Sequence, residues 1–229
     1  MIRAVLWDMD GTLVDSEEFH WLSWRDTMAA EGLPITRDQF VVTFGQRNDS
    51  ILPHWLGADV AQDRIQRVGD VKEALYRRLV RDSGIAPLPG AAEWVRRLNR
   101  EKWRQAIASS APRANVEAVL EVIGLAGCFE AIVSAEDVRA GKPDPQVFLT
   151  AASRLAVAPA ECVVVEDAVA GVEAARRAGM RSIGVNRKAL LAADVEVRSL
   201  ADLAPDTFTK LLGLNSTRSD GARPIIAPH

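Results

Sequence analysis

Five short apolar runs in this chain each stop at a polar residue. Ala4–Trp7 runs into Asp8, Gln105–Ala108 into Ser109, Ala131–Val133 into Ser134, Cys162–Val165 into Glu166, and Arg181–Val185 into Asn186. A short run without polar alternation suits a strand covered on both faces, as in a parallel sheet. Helical patterns separate the later runs. Val116, Val119, Leu120 and Ile123 repeat at helical spacing and Gly124 follows as a stop. Asp144 and Pro145 read as an N-cap and first helical residue, opening a helix that carries Val147, Phe148 and Ala151. Alanine-rich 168–178 ends at Gly179. Strand and helix in alternation predict an α/β fold, a parallel sheet flanked by helices on both faces.

One interval breaks the rhythm. About 75 residues separate the first strand from a helix starting near Pro89, far more than one crossover needs. That stretch is itself helical. Glu17–Ala30 reads as one helix, and Ile65, Val68, Val71, Leu75 and Leu79 mark another. The Pro/Gly-bearing segment 84–90 leads back to the core. The expected division is a core of 1–14 and 87–214, a helical insert of 15–86, and a flexible tail of 215–229, which lacks periodicity and carries turn-formers.

The length of 229 residues has room for such a core and insert. A net charge of -3 is too mild to imply nucleic acid, yet it leaves room for a small anionic substrate, because one local cluster can oppose the global sign. Cys128 and Cys162 sit beside hydrophobic runs and read as buried free thiols; the three histidines are scattered, which argues against zinc. The opening MIRAVLWDMDG reads as neither signal peptide nor membrane span, so the expected location is cytoplasmic.

In a parallel α/β sheet, ligands bind beyond the carboxyl ends of the strands. The residues that end the runs should therefore gather on one edge: Asp8 and Asp10, Ser109, Glu166 and Asp167, with Lys142 able to reach it from a helix start. Carboxylates so gathered repel one another. Magnesium relieves that repulsion, and a lysine and a hydroxyl among them serve as donors to phosphate oxygens. Each feature alone has a plainer reading. Asp8-Met-Asp10-Gly11-Thr12 could be a turn, Ser109 and Ser110 a helix cap, Lys142-Pro143 a solvated loop, and Glu166-Asp167 favourable charges at a helix start. The last is the weakest, because two adjacent acids directly after Val-Val-Val are costly unless paired or metal-bound.

Together the motifs resemble those of the haloacid dehalogenase superfamily. Residues 8–16 are similar to its first motif, 108–110 to its second, 141–145 to its third and 165–171 to its fourth, in order and over the whole chain except the tail. The resemblance implies a Rossmann-like core and an aspartyl-phosphate mechanism. Asp8 would attack phosphorus and Asp10 would act as acid and base. Asp8, the Asp10 backbone carbonyl, Asp167 and Glu166 would hold Mg2+. Ser109, Ser110 and Lys142 would bind the phosphoryl group, with Gly11 and Thr12 shaping the loop around it. The dehalogenase branch lacks the acid/base aspartate, which stands here as Asp10, so phosphoryl transfer is favoured.

A helical insert between the first two motifs resembles the cap of the branch containing β-phosphoglucomutase and sugar-phosphate phosphatases. Its substrate-facing candidates are His20, Trp24, Gly45 and Arg47. His20 resembles a position that links acid/base action to cap closure, or is a solvent-facing helix histidine. Arg47 could grip a remote anion or sugar hydroxyls, or be an ordinary surface arginine. Trp24 could stack on a sugar, although beside Phe19, Trp21 and Met28 core packing is its commoner fate. After the second motif the mutase carries a serine and a lysine where this chain has Ala111 and Pro112, and it has valine where this chain has Thr12. Both departures lean towards a phosphatase acting on a small phosphorylated metabolite, with the mutase as the alternative. A non-catalytic phosphate-binding module would be expected to have lost Asp8, Asp10 or the acidic pair, and all are present.

Overall fold

The computed structural model describes residues 2–185 and 190–213; Asn186, residue 214 and the expected 215–229 tail lie outside them. The strands are β1 (Ala4–Trp7), β2 (Arg104–Ala108), β3 (Ala131–Val133), β4 (Cys162–Glu166), β5 (Arg181–Val185) and β6 (Val195–Val197). They form one parallel sheet in the order β3-β2-β1-β4-β5-β6. The α-helices are α1 (Glu17–Ala30), α2 (Arg37–Val41), α3 (Asn48–Leu56), α4 (Gln62–Ser83), α5 (Ala91–Arg100), α6 (Arg113–Val122), α7 (Gln146–Arg154), α8 (Val169–Arg177) and α9 (Thr207–Leu211).

The continuous apolar runs are explained by two cores. Val5, Trp7, Ile107, Val163 and Val165 pack on one face with α5 and α6, while Ala4, Leu6, Ala106, Cys162 and Val164 pack on the other with α7 and α8. Successive strand residues point to opposite faces, so a strand covered twice must be apolar throughout. β6 was not anticipated. It is three residues long, half-buried and at the sheet edge, so its two valines make no run.

Two helix details differ from the sequence reading. Pro145 is the cap position rather than the first helical residue, and the Asp144 carboxylate accepts the Gln146 N–H at 2.9 Å. On α4 the buried stripe is Ile65, Val68, Lys72, Tyr76 and Val80, and Val71 is 51% exposed. Helices α1 to α4 form the inserted helical cap, with its own core of Trp24, Met28, Phe40, Leu52, Ile65 and Val68. One half of α4 serves that core; Tyr76 and Val80, further along, join the core of the sheet. A single rigid helix thus roots the cap in the sheet domain.

β1 is central, between β2 and β4. Trp7 is level with both Ile107 and Val165, so Asp8, Ser109 and Glu166 emerge within one residue of the same height. The Asp8 N–H donates to Val165 O and the Ser109 N–H to Val133 O, each at 3.0 Å, which extends the ladder to the residues that leave it.

Candidate active site

At this edge Asp8, Glu166 and Asp167 each offer a carboxylate oxygen within 4.8 Å of the others. Lys142 reaches in from the loop before α7. Its Nζ donates to Asp8 Oδ1 at 2.5 Å and to Glu166 Oε2 at 2.9 Å. Two glycines make room for the acids. A Cβ on Gly11, whose φ is +86°, would lie 2.1 Å from Asp167 Oδ2, and one on Gly171 would lie 2.1 Å from the Glu166 carboxyl carbon. Neither site tolerates a side chain without moving an acid.

The electrostatics follow from three acids sharing one base. Burial, then the Asp8 charge, pushes the Glu166 carboxyl well above its ordinary range. Burial and then Asp8 push Asp167 up to about 7. Burial also raises Asp8, against the pull of Lys142. Burial disfavours the Lys142 charge, but Asp8 and Glu166 outweigh it and drive the ammonium pKa up. An all-oxygen donor set with surplus negative charge fits a hard divalent cation.

Asp10 faces a different group. Ser16 Oγ donates to Asp10 Oδ1 at 2.5 Å, and His20 Nε2 lies 3.5 Å from the same oxygen. Burial works to raise the Asp10 carboxyl, but His20 and Ser16 prevail and lower it. Lys72 Nζ lies 2.8 Å from His20 Nδ1. An ammonium only donates, so Nδ1 accepts and a neutral His20 carries its hydrogen on Nε2, towards Asp10. Burial and then Lys72 keep His20 below its ordinary pKa, in agreement.

Lys72 is 2% exposed and pairs with Glu73 at 2.9 Å. Glu73 also accepts from Asn48 at 2.7 Å and from Asn115 of α6 at 2.5 Å, and Arg77 donates to the Asn115 carbonyl oxygen at 2.9 Å. None of Lys72, Glu73, Asn48, Arg77 or Asn115 was among the sequence candidates. Lys72 had a readable signal: it occupies an apolar-stripe position of α4 at helical spacing from Ile65, Val68 and Tyr76.

A cavity of about 1000 Å³ joins the sheet edge to the cap. Asp8, Asp10, Ser109, Ser110, Lys142, Glu166 and Asp167 line its floor, and His20, Trp24, Gly45 and Arg47 line it from the cap. Gly11 and Thr12 lie outside that lining, and Thr12 is fully buried. Ser109 Oγ accepts the Ala111 N–H at 3.0 Å, which leaves its own hydrogen to donate. Trp24 is only 2% exposed and packs edge-on against Trp55 with ring centroids 5.0 Å apart, so it presents almost no face for a sugar to stack on. Gly45 is exposed with φ +83°. Arg47 lines the cavity with most of its donors engaged by protein: Nη1 donates to Ala135 O of the core at 2.7 Å, and Nε and Nη2 donate to Asp49 of the cap.

The family model for haloacid dehalogenase-like hydrolases matches residues 2–179. This chain belongs to the haloacid dehalogenase-like hydrolase family. Within that family it is 35% identical over 220 residues to hexitol phosphatase B of Escherichia coli, covering 93% of this chain and 97% of that one. It is 34% identical over 211 residues to β-phosphoglucomutase of Bacillus subtilis, covering 88% and 92%. A solved β-phosphoglucomutase from Clostridium difficile superimposes with a TM-score of 0.82 at 26% identity, over 93% of this chain and 98% of that one. The chain is therefore a haloacid dehalogenase-like enzyme of the branch that holds sugar-phosphate phosphatases and β-phosphoglucomutases. Among the described residues, no helix is long and apolar enough to cross a membrane.

Proposed function

We propose that this enzyme is a magnesium-dependent phosphatase that hydrolyses a small phosphate monoester, a sugar phosphate, through an aspartyl phosphate on Asp8. The observation that carries the reading is the trio of carboxylates bridged by Lys142 at the carboxyl edge of the sheet. Asp8, Asp167 and the Asp10 carbonyl would hold Mg2+, with Glu166 contributing; the ion supplies charge neutralisation between nucleophile and phosphate. Residues 15–86 serve as the cap.

Asp8 attacks phosphorus, and the bond from phosphorus to the sugar oxygen breaks. The departing oxygen takes a proton from Asp10, whose carboxyl is held low in the free enzyme and takes that proton up as the phosphate's negative charge enters the site, so the sugar leaves neutral. Asp10 then takes a proton from water as the water attacks the phospho-Asp8 phosphorus, and phosphate departs with Asp8 restored. Ser109, Ser110 and Lys142 hold the phosphoryl oxygens, with Gly11 and Thr12 shaping the loop behind them. His20, with its hydrogen directed to Asp10, orients the acid/base group. The likeness to named hexitol and fructose-1-phosphate phosphatases supports a phosphorylated polyol or sugar as substrate.

The test is inorganic phosphate release from hexose phosphates with magnesium and in excess EDTA. Release that EDTA abolishes is expected; full activity in EDTA would overturn the reading. The mutase reading is favoured by the β-phosphoglucomutase relative and by His20 under the helical cap, beside Asp10. Against it, Ala111 and Pro112 line the cavity where a mutase needs polar grip on a bisphosphate. Phosphorus NMR of enzyme with β-glucose 1-phosphate and glucose 1,6-bisphosphate separates the two. More inorganic phosphate than glucose 6-phosphate is expected of the hydrolase, and clean conversion to glucose 6-phosphate identifies the mutase.

A further inference from the structure

A cap arginine on the wall of a substrate cavity invites the role of substrate grip, yet most of the Arg47 donors are engaged elsewhere. Its guanidinium is clamped from both sides. Nε and Nη2 hold Asp49 of α3 at 3.2 Å and 2.9 Å, and that pairing lowers the Asp49 carboxyl below its ordinary pKa. Nη1 crosses from the cap to the core and donates to Ala135 O at 2.7 Å, with Val138 O at 3.5 Å. The fork geometry of a guanidinium allows this double engagement, because its donors diverge in one plane.

The segment that Arg47 holds is the one that delivers Lys142. Ala135 and Val138 begin the loop, and Gly141 packs directly on the Arg47 stem: a Cβ at Gly141 would lie 3.2 Å from Arg47 Cδ. The next residue is Lys142, whose Nζ reaches Asp8 and Glu166. The start of the loop is also tied to the core, since the Ala135 N–H donates to Ala111 O at 3.0 Å and the Asp137 carboxylate accepts from Arg113 at 2.8 Å and from Arg154 at 2.5 Å. Arg47 therefore adds most where those ties end, from Arg139 to Lys142. The Arg139 N–H donates to the Gln146 side chain at 2.8 Å and the Asp144 N–H to Gly141 O at 3.0 Å, both local.

We propose that Arg47 is a positioning residue, a clasp by which the closed cap holds the 135–142 loop and so sets Lys142 against Asp8. When the cap opens, the clasp lets go and the lysine loses its outer support. When it closes, binding and charge neutralisation arrive together, which keeps Lys142 fully placed only while the site is covered. The catalytic consequence rests on the phosphatase reading; the clasp itself does not.

The two parts are tested separately. Hydrogen exchange of the 134–144 segment, with β5 as internal reference, reads the clasp without any turnover. In Arg47→Ala the segment should exchange about tenfold faster, as loss of a charged hydrogen bond implies, with β5 unchanged. Kinetics on a hexose phosphate and on p-nitrophenyl phosphate read the consequence. Arg47→Ala should lower kcat/KM on both by a similar factor, about tenfold or more and mainly through kcat, because a displaced lysine harms the transferring group whatever it leaves from. Arg47→Lys, with one donor head in place of a fork, should recover part of both losses. Gly141→Ala should be harmful in the native background and milder in Arg47→Ala, where its clash partner is gone. A kcat/KM loss confined to the hexose phosphate, with unchanged exchange in 134–144, would make Arg47 a substrate contact and overturn the clasp. If the unaltered enzyme releases no phosphate from either compound, the phosphatase reading fails, and the exchange measurement alone decides the clasp.

Discussion

Two buried polar clusters lie on either side of the same cavity, and they are built on opposite principles. At the sheet edge, three carboxylates share one ammonium, and burial with mutual repulsion pushes the Glu166 and Asp167 carboxyls up. At the junction of cap and core, Lys72 and Glu73 are matched one to one, and two amides complete the carboxylate's hydrogen bonds. Burial would raise Glu73 as well, but Lys72, His20 and Asn48 outweigh it and its pKa is lowered. Both clusters cost desolvation. In the second the carboxylate recovers that cost from its partners, although burial still holds the Lys72 ammonium below its ordinary pKa. Buried charge is thus a poor marker of chemistry by itself; unbalanced buried charge of one sign, at the end of a sheet, is a good one.

The largest effect should come from the unbalanced cluster. Asp8→Asn keeps the shape and removes the attacking oxygen anion. Turnover should fall by about a thousandfold or more, with the melting temperature retained, since the edge then carries less repulsion. Turnover near that of the unaltered enzyme, from a sample shown by mass spectrometry to be free of Asp8, would remove the nucleophile from the mechanism.

The contrast between clusters also explains what could be read from the sequence alone. Asp8, Ser109 and Glu166 were legible because each ends an apolar run, and a parallel sheet brings run ends together whatever the details of packing. Lys142 was legible only through its place before a helix start and its motif, since a loop lysine has no periodicity. The cap-side cluster was missed because its parts come from α3, α4 and α6, so no local pattern joins Asn48, Glu73 and Asn115. Hydrophobic spacing assigns Val71 to the core, whereas Lys72 holds that place, which is where apolar patterning misleads: a buried ion pair occupies positions expected of aliphatic side chains. The destinations of Arg47 and Trp24 depend on how cap meets core, a relation between distant segments that sequence spacing does not encode.

The matched cluster should answer with stability rather than rate. Glu73→Ala leaves the Lys72 ammonium buried without its carboxylate and the Asn48 and Asn115 amides without their acceptor. A loss of about 3 kcal/mol or more is expected, read as a fall in denaturation midpoint at constant slope. Glu166→Gln should do the reverse at the other cluster. It removes one of three repelling charges and keeps a hydrogen-bonding group for Lys142, so the metal-free protein should be equally or slightly more stable, by up to about 1 kcal/mol. Equal destabilisation by both substitutions would erase the distinction between the clusters.

The smallest effect sharpens the same point, because it asks whether the surplus charge is what a cation answers. The Asp167 carboxyl is pushed up to about 7, above its ordinary 3.8, by burial and then by Asp8. Between those two values the folded protein binds a proton that the unfolded chain has released. Without metal, this group therefore loses stability as pH rises through that window, and the loss is complete above about 7. Magnesium competes for the same oxygen, so its contribution has the opposite slope. At pH 6 a proton must first be displaced, which weakens apparent affinity about tenfold relative to pH 8, or about 1.4 kcal/mol of stabilisation at fixed saturating magnesium. For a chain of this size that is a difference of roughly 3–5 °C in the melting-temperature gain. Thermal melts with magnesium and with EDTA, at both pH values, read that competition, because groups away from the cluster contribute to both curves and cancel in the gain, while the raised Glu166 and Asp8 carboxyls add to it in the same direction. A magnesium gain that is equal at the two pH values, or larger at pH 6, would separate the cation from the buried acids and leave their repulsion without a chemical purpose.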